Sequence, residues 1–187
     1  MSGLIKNWQI FLQCRGNHES RGKLFELLWR QYQKRLTFFI KNMVKNHAED
    51  LFQEIMLKVY QNLHKYNPVY SFNTWIYTVA RNHCLNYLNK KKLITVNMDD
   101  ESVDNITTED YDTPENQTLN NELHHTIDNI LSKFNEDNRQ IAFLYFFEDM
   151  RNREIALVMD IPTGTVKSRL HKIRENLKQG LEKYHGQ

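Results

Sequence analysis

Glycine and proline are scarce in this chain, at 6 and 3 of 187 residues. Hairpins, sandwiches and loop-rich folds draw heavily on both, so their scarcity excludes a β-rich or loop-dominated architecture. The two cysteines, Cys14 and Cys84, lie far apart with no CxxC spacing, which argues against a disulfide framework or a cysteine metal site. No segment approaches the roughly 18 consecutive apolar residues of a membrane span, nor does the N-terminus combine a basic start, an apolar run and a small-residue cleavage site. The expectation is a cytoplasmic, mostly helical protein without membrane insertion. One absence is local: from Leu93 to Ser132 there is neither lysine nor arginine.

That stretch holds ten acids: Asp99, Asp100, Glu101, Asp104, Glu109, Asp110, Asp112, Glu115, Glu122 and Asp128. The flanking parts therefore carry all 25 basic residues against 13 acids, a net +12 hidden by an overall charge of only +2. Two basic bodies joined by an acidic strap is a pattern suited to polyanion binding, with a strong salt dependence.

What is abundant is apolar periodicity, with hydrophobic residues at 40% and aromatics at 12% to build packed cores. Leu24, Leu27, Leu28, Tyr32, Leu36, Phe39 and Ile40 recur at helical spacing over residues 24–44. A second helix is expected over residues 48–64, where Leu51, Ile55, Val59 and Leu63 stand four apart beside Phe52, Met56 and Tyr60. Residues 66–74, with Pro68 and polar turn formers, read as a loop in which Ser71, Asn73 or Thr74 caps a third helix reaching about Lys92. Residues 95–117 lack sustained periodicity and read as a linker. Beyond it, Leu119, Leu123, Ile127 and Leu131 stand four apart, and residues 139–147 form a further helix rich in aromatics.

The C-terminal portion carries a sharper pattern. Asn152 is placed to cap a short helix containing Ile155, Ala156 and Met159, which Asp160-Ile161-Pro162-Thr163-Gly164 interrupts before another helix starts. Pro162 suits a helix start and Gly164 permits close packing. The new helix sets Val166, Leu170, Ile173 and Leu177 on one face and Thr165, Lys167, Ser168, Arg169, His171 and Lys172 on the other. A helix-turn-helix needs this arrangement: an apolar side to seat on the preceding helix, and cationic and hydroxyl side chains near the N-terminus to reach base edges and phosphates. The bland alternative, a basic amphipathic surface helix, leaves the short helix, tight turn and small Ala156 unexplained.

Two features of the N-terminal body carry chemistry. Asp50, Gln53 and Glu54 stand at i, i+3 and i+4, sharing a helix face opposite Leu51, Ile55 and Val59 and suited to a basic partner surface. Residues 71–92 interleave Phe72, Trp75, Tyr77 and Tyr87 with Arg81, Asn82, Asn86 and the Lys90, Lys91, Lys92 cluster. Rings that stack on unpaired bases and cations that hold the backbone suit single-stranded DNA. Core packing competes for the same rings: Ile76, Val79 and Tyr87 read as core, and Trp75 fits either role.

The stretch REIALVMDIPTGTVKSRLHKIRENLK (Arg153 to Lys178) closely resembles the fourth conserved region of bacterial RNA polymerase sigma factors of the extracytoplasmic-function (ECF) type. AEDLFQEIMLKVY (Ala48 to Tyr60) and SFNTWIYTVARNHCLNYLNKKK (Ser71 to Lys92) are similar to the second region, in family order and at family spacing. The resemblance implies an all-α fold of two small domains. These are a region-2-like domain over residues 1–94, an acidic flexible linker over 95–118, and a region-4-like helix-turn-helix domain over 119–187. It implies that Asp50, Gln53 and Glu54 bind core RNA polymerase. It also implies that Tyr70, Phe72, Trp75, Tyr77, Arg81, Asn82, Lys90 and Lys91 act at the promoter minus-ten element, with the loop 66–74 receiving an extruded base. Thr165, Lys167, Ser168, Arg169, His171 and Lys172 correspond to the minus-thirty-five contacts. Lys167 stands where the family often has arginine, which weakens bidentate reading of guanine. Phe134-Asn135 replaces a frequent Leu-Pro and should alter a helix start. Promoter DNA, core polymerase and an anti-sigma protein are the implied partners, with no cofactor and no metal; the linker either threads the polymerase's basic channels, as the resemblance implies, or is a solvated spacer keeping two basic domains apart. The first 20 residues have no counterpart.

Two other classes compete. A conventional helix-turn-helix regulator that is not a polymerase subunit would leave the Asp50 face and the aromatic block without purpose. A metal-dependent nuclease would draw on His124, His125 and Asp128, or on His47 and Asp50, but neither group completes a ligand set, and no phosphate loop or nucleophile motif accompanies them. The chain is expected not to be an enzyme.

Overall fold

Leucines and aromatics at helical spacing give the N-terminal half its three helices, as seen in a computed structural model that describes residues 10, 12, 14–16, 18–44, 46–95 and 131–185. Helix α1 (His18–Lys41) buries Leu24, Leu28, Tyr32, Leu36, Phe39 and Ile40, and lines its outer face with Lys23–Glu19 and Arg30–Glu26 ion pairs at 2.7 Å. Leu27, expected on the buried stripe, is instead 63% exposed, one position outside the arc that faces the core. Helix α2 (Ala48–Asn62) follows His47, whose backbone is left-handed at φ 68°, and buries Leu51, Phe52, Ile55, Met56 and Val59. The chain then tightens into a 3₁₀ turn at Leu63–Lys65 where the sequence reading had continued the helix.

Between that turn and helix α3 (Phe72–Thr95) the loop is tied down locally. The buried Tyr66 donates its hydroxyl to the Tyr70 carbonyl at 2.9 Å, and the Asn67 side chain accepts the Val69 N–H at 3.1 Å. Of the three candidate caps, Ser71 takes the role, its Oγ accepting the Thr74 N–H at 3.1 Å. Asn73 instead accepts from the Tyr32 hydroxyl of α1, fixing the start of α3 to the first helix.

The C-terminal half contributes helices α4 (Glu136–Phe146), α5 (Asn152–Met159) and α6 (Thr163–His185). Asn135 caps α4, its side chain accepting the Asn138 N–H at 3.0 Å, so the departure at Phe134-Asn135 does set a helix start. Ile141, Ala142, Phe143 and Leu144 are consecutive and all buried, which no one-sided helix achieves. Helix α4 is covered on one side by α5 and α6 and on another by the N-terminal helices. Arg151, not Asn152, precedes α5, and Glu154 reaches back to accept the Arg151 N–H at 3.0 Å. Helix α5 ends at Asp160, left-handed at φ 53°. Gly164 has open space where a side chain would stand, so the close packing expected of it is not what the position requires.

The described residues are all-α, and their buried side chains form one continuous cluster running through both halves. Cys14 and Cys84 are free and 1% and 0% exposed within it; burial pushes their thiols up to about 11 and about 12. The acidic strap and the repeat of Leu119, Leu123 and Ile127 lie outside the described residues.

The ring of Phe143 joins the halves, 5.3 Å from Phe38, 5.9 Å from Phe39 and 6.1 Å from Tyr77 between centroids. Replacing it with alanine removes a buried aromatic from both halves at once. Phe143→Ala should lower unfolding free energy by about 3–5 kcal/mol in a urea titration.

Candidate nucleic-acid interface

The C-terminal helix pair has the geometry expected of it. Val166, Leu170 and Ile173 of α6 are buried against α4 and α5 with Leu177 half-buried, while Lys167, Ser168, His171 and Lys172 are exposed. Thr165 is half-buried, its carbonyl accepting the Ser168 hydroxyl at 3.0 Å. The turn between α5 and α6 is held by the Ile161 N–H on the Ala156 carbonyl at 3.1 Å, and the Pro162 carbonyl accepts the Val166 N–H at 3.2 Å. Arg169 is drawn sideways, its Nη1 donating to Asp137 Oδ2 at 3.1 Å. His171 lies 3.4 Å from Glu175, one turn along.

On the opposite side of the molecule's sequence, Asp50, Gln53 and Glu54 are all exposed on α2, above the buried Leu51, Ile55 and Val59. His47 is 3.6 Å from Asp50. Of the other histidine group considered for a metal, His124, His125 and Asp128 lie outside the described residues.

The aromatic helix is divided more sharply than its sequence suggested. Tyr70 is 48% exposed, Trp75 is half-buried, and Asn82, Lys90 and Lys91 are exposed. Phe72 and Tyr77, in contrast, are 3% and 0% exposed. Phe72 packs at 5.1 Å from Tyr66 and 5.4 Å from Trp75, inside the first three helices, and Tyr77 packs against Phe39 at 5.0 Å and against Phe143. Tyr87, read as core, is only half-buried.

Three acids of the C-terminal half line the contact that covers this helix. Glu154 accepts the Thr74 hydroxyl at 3.1 Å. Asp137 lies 3.8 Å from Arg81, so a single carboxylate faces Arg81 of α3 and Arg169 of α6 together. Glu148, with a fully buried side chain, stands 3.5 Å from Nε of Arg35, whose guanidinium also donates to the Phe147 carbonyl at 3.2 Å. Sequence reasoning singled out none of these acids. Glu154 at the third position after a helix start was the one local signal, whereas Arg35 and Phe147 are separated by 112 residues.

The matches to known proteins fall on these same elements. Residues 28–94 match the model of Sigma-70 region 2, and residues 124–177 that of Sigma-70 region 4. The ECF RNA polymerase sigma-E factor of Haemophilus influenzae is 30% identical over 167 residues, covering 86% of this chain and 88% of that protein. The sigma-E factor of Escherichia coli is 31% identical over 163 residues, covering 82% and 84%. The chain belongs to the ECF sigma factors of RNA polymerase. Its fold agrees with the sigma factor RpoE of Bartonella quintana, solved in complex with the anti-sigma factor NepR, at a TM-score of 0.65 and 19% identity over 84% of this chain and 96% of that one. CnrH, solved with the cytosolic domain of CnrY, aligns at a TM-score of 0.56 and 16% identity over 97% and 98%.

An ECF sigma factor directs core RNA polymerase to promoters, and sigma factors are initiation factors, not enzymes. The conventional-regulator alternative is not favoured. Among the described residues no helix is long and apolar enough to cross a membrane.

Glu148 makes the contact between the halves sensitive to pH. Burial raises its carboxyl above the ordinary range, with Arg35 and the Tyr77 hydroxyl partly offsetting this. The unfolded chain ionises first as pH rises, so the support Glu148 gives the closed form is complete below the ordinary carboxyl range and is lost as pH climbs through the raised value. Glu148→Gln, neutral at every pH, should raise the melting temperature relative to the unmodified chain more at pH 8 than at low pH. A difference of equal size at both pH values would rule out ionisation as the cause.

Proposed function

We propose that this sigma factor docks on core polymerase through Asp50, Gln53 and Glu54, opens the minus-ten element along α3, and reads the minus-thirty-five element with the first two turns of α6. The observation that best supports this is the pairing of two exposed polar faces, each backed by a buried apolar stripe. One is acidic on α2, and the other is cationic on α6 with the N-terminal end of its helix dipole behind it. The first half, to about residue 94, and the last, from about 119, act as separate modules, and the acidic strap between them threads a basic channel of the polymerase by presenting carboxylates where nucleic acid phosphates would lie. The chain makes and breaks no bonds; core polymerase performs the chemistry in the cytoplasm.

In this reading Trp75, Tyr70, Asn82, Lys90 and Lys91 meet the melted strand at the exposed surface. Tyr77 and Arg81 do so once the C-terminal half lifts from α3, which parts Arg81 from Asp137 while Asp137 and Arg169, both of the C-terminal half, move together. An anti-sigma protein spanning both halves would hold the chain away from polymerase; the similar sigma factor RpoE of Bartonella quintana was solved in complex with the anti-sigma factor NepR.

The decisive experiment adds the protein to sigma-free core polymerase on bulk genomic DNA and sequences the RNA 5′ ends. Discrete new starts preceded by two spaced motifs are expected; none, with DNA binding by the protein alone intact, would overturn the proposal. The face assignments separate by mutation. Asp50→Ala with Glu54→Ala should weaken core binding at least tenfold and leave isolated upstream DNA binding unchanged. Lys167→Ala with Arg169→Ala should leave core binding unchanged and abolish discrimination for the upstream motif, with each lost phosphate contact also reducing the salt slope by about 1.

A further inference from the structure

His83 of α3 stands between two residues of α2 that lie one turn apart. Its Nε2 is 2.8 Å from Glu54 Oε2 and its Nδ1 is 2.7 Å from Lys58 Nζ. The imidazole is only 12% exposed while the Glu54 side chain is 62% exposed. A half-buried ring therefore holds one oxygen of an outward carboxylate.

The chemistry of the two neighbours fixes the proton. A lysine ammonium only donates, so Nδ1 carries the lone pair; a carboxylate only accepts, so Nε2 carries the hydrogen. Both contacts are satisfied together in one form of the ring, the neutral Nε2–H tautomer. An imidazolium would turn an N–H towards the ammonium and lose that contact. The resulting line, Lys58 to His83 to Glu54, crosses from α2 to α3 and back, so the position of the carboxylate depends on the register between the two helices. Beside it an open cavity of about 330 Å³ is walled further by Asn86, Tyr87, Asn89, Lys90 and Leu93 of α3.

We propose that His83 is a positioning residue for core-polymerase binding: it holds the Glu54 carboxylate in its docking orientation before polymerase arrives. This rests on the assignment of Glu54 to the docking face and adds the residue that aims it. A free glutamate loses the freedom of several bonds when a partner immobilises it, and one already held loses less. His83 also sits directly after Arg81 and Asn82 in the DNA-facing helix, so the same ring ties the strand-melting helix to the polymerase-docking helix.

The test is a double-mutant cycle on the full-length chain, with affinity for core polymerase measured for wild type, Glu54→Ala, His83→Ala and the double variant. His83→Ala should weaken binding 3- to 10-fold in the wild-type background and less than 2-fold when Glu54 is already alanine. His83→Gln, whose amide can donate to Glu54 and accept from Lys58, should recover most of the loss. Long-range ¹H–¹⁵N spectra of the imidazole above pH 8 should show the Nε2–H tautomer, with the Nε2–H resonance shifting when Glu54 is replaced by alanine, a response that a packing role would not produce. Equal losses in both backgrounds, or the Nδ1–H tautomer, would overturn the assignment of His83. If Glu54→Ala itself leaves core affinity unchanged, the docking face is misassigned and this inference goes with it; a loss on Glu54→Ala with none on His83→Ala removes His83 alone.

Discussion

One aromatic ring sits at the centre of the contact between the two described halves. Phe143 belongs to the C-terminal helices by sequence, yet it packs beside Phe38, Phe39 and Tyr77 of the N-terminal ones and stacks on Phe147 of its own half. Each trio of helices offers the other an apolar side: α4 has four consecutive buried residues, and α3 has Tyr77 on the side facing them. Ring pairs of this kind add about 0.5–1.5 kcal/mol each beyond the area they bury. The polar contacts, Arg35 with Glu148, Thr74 with Glu154 and Arg81 with Asp137, gather around that apolar centre.

The polar contacts have a consistent sense. Every acid in them comes from the C-terminal half, and every cation or hydroxyl from the N-terminal half. The carboxylate of Asp137 lies between one arginine proposed for the minus-ten element and one proposed for the minus-thirty-five element. Partly exposed pairs of this kind contribute little stability individually. In the proposed mode of promoter binding Arg81 would exchange this carboxylate for DNA phosphate, so the contact between the halves and the contact with the promoter would draw on the same group.

The helices were legible in the sequence because helical periodicity is a local property, and Leu51, Ile55 and Val59 or Val166, Leu170 and Ile173 announce their buried face without help from distant residues. The two exposed polar faces followed from those stripes. Phe72 and Tyr77 were not legible in the same way: a ring that stacks on a base and a ring that fills a core have the same residue type and similar neighbours, and one of the rings that cover Tyr77, Phe143, comes from beyond the acidic strap. Glu148 was invisible for a related reason, since its partner Arg35 lies in the first helix. Caps fell between these cases: Ser71 was among three candidates, whereas the start of α5 shifted by one residue because Glu154, not Asn152, satisfies the leading N–H.

The two thiols sit deep in the packed interior, one near the start of the chain and one midway along α3. With their ionisation pushed so far up, at neutral pH roughly one molecule in ten thousand or fewer carries a thiolate at either site. Peroxides and disulfides react with thiolates at accessible surfaces, and neither condition is met. Neither cysteine therefore offers an oxidant a handle on the folded factor, which sets it apart from regulators that sense oxidants through an accessible thiolate.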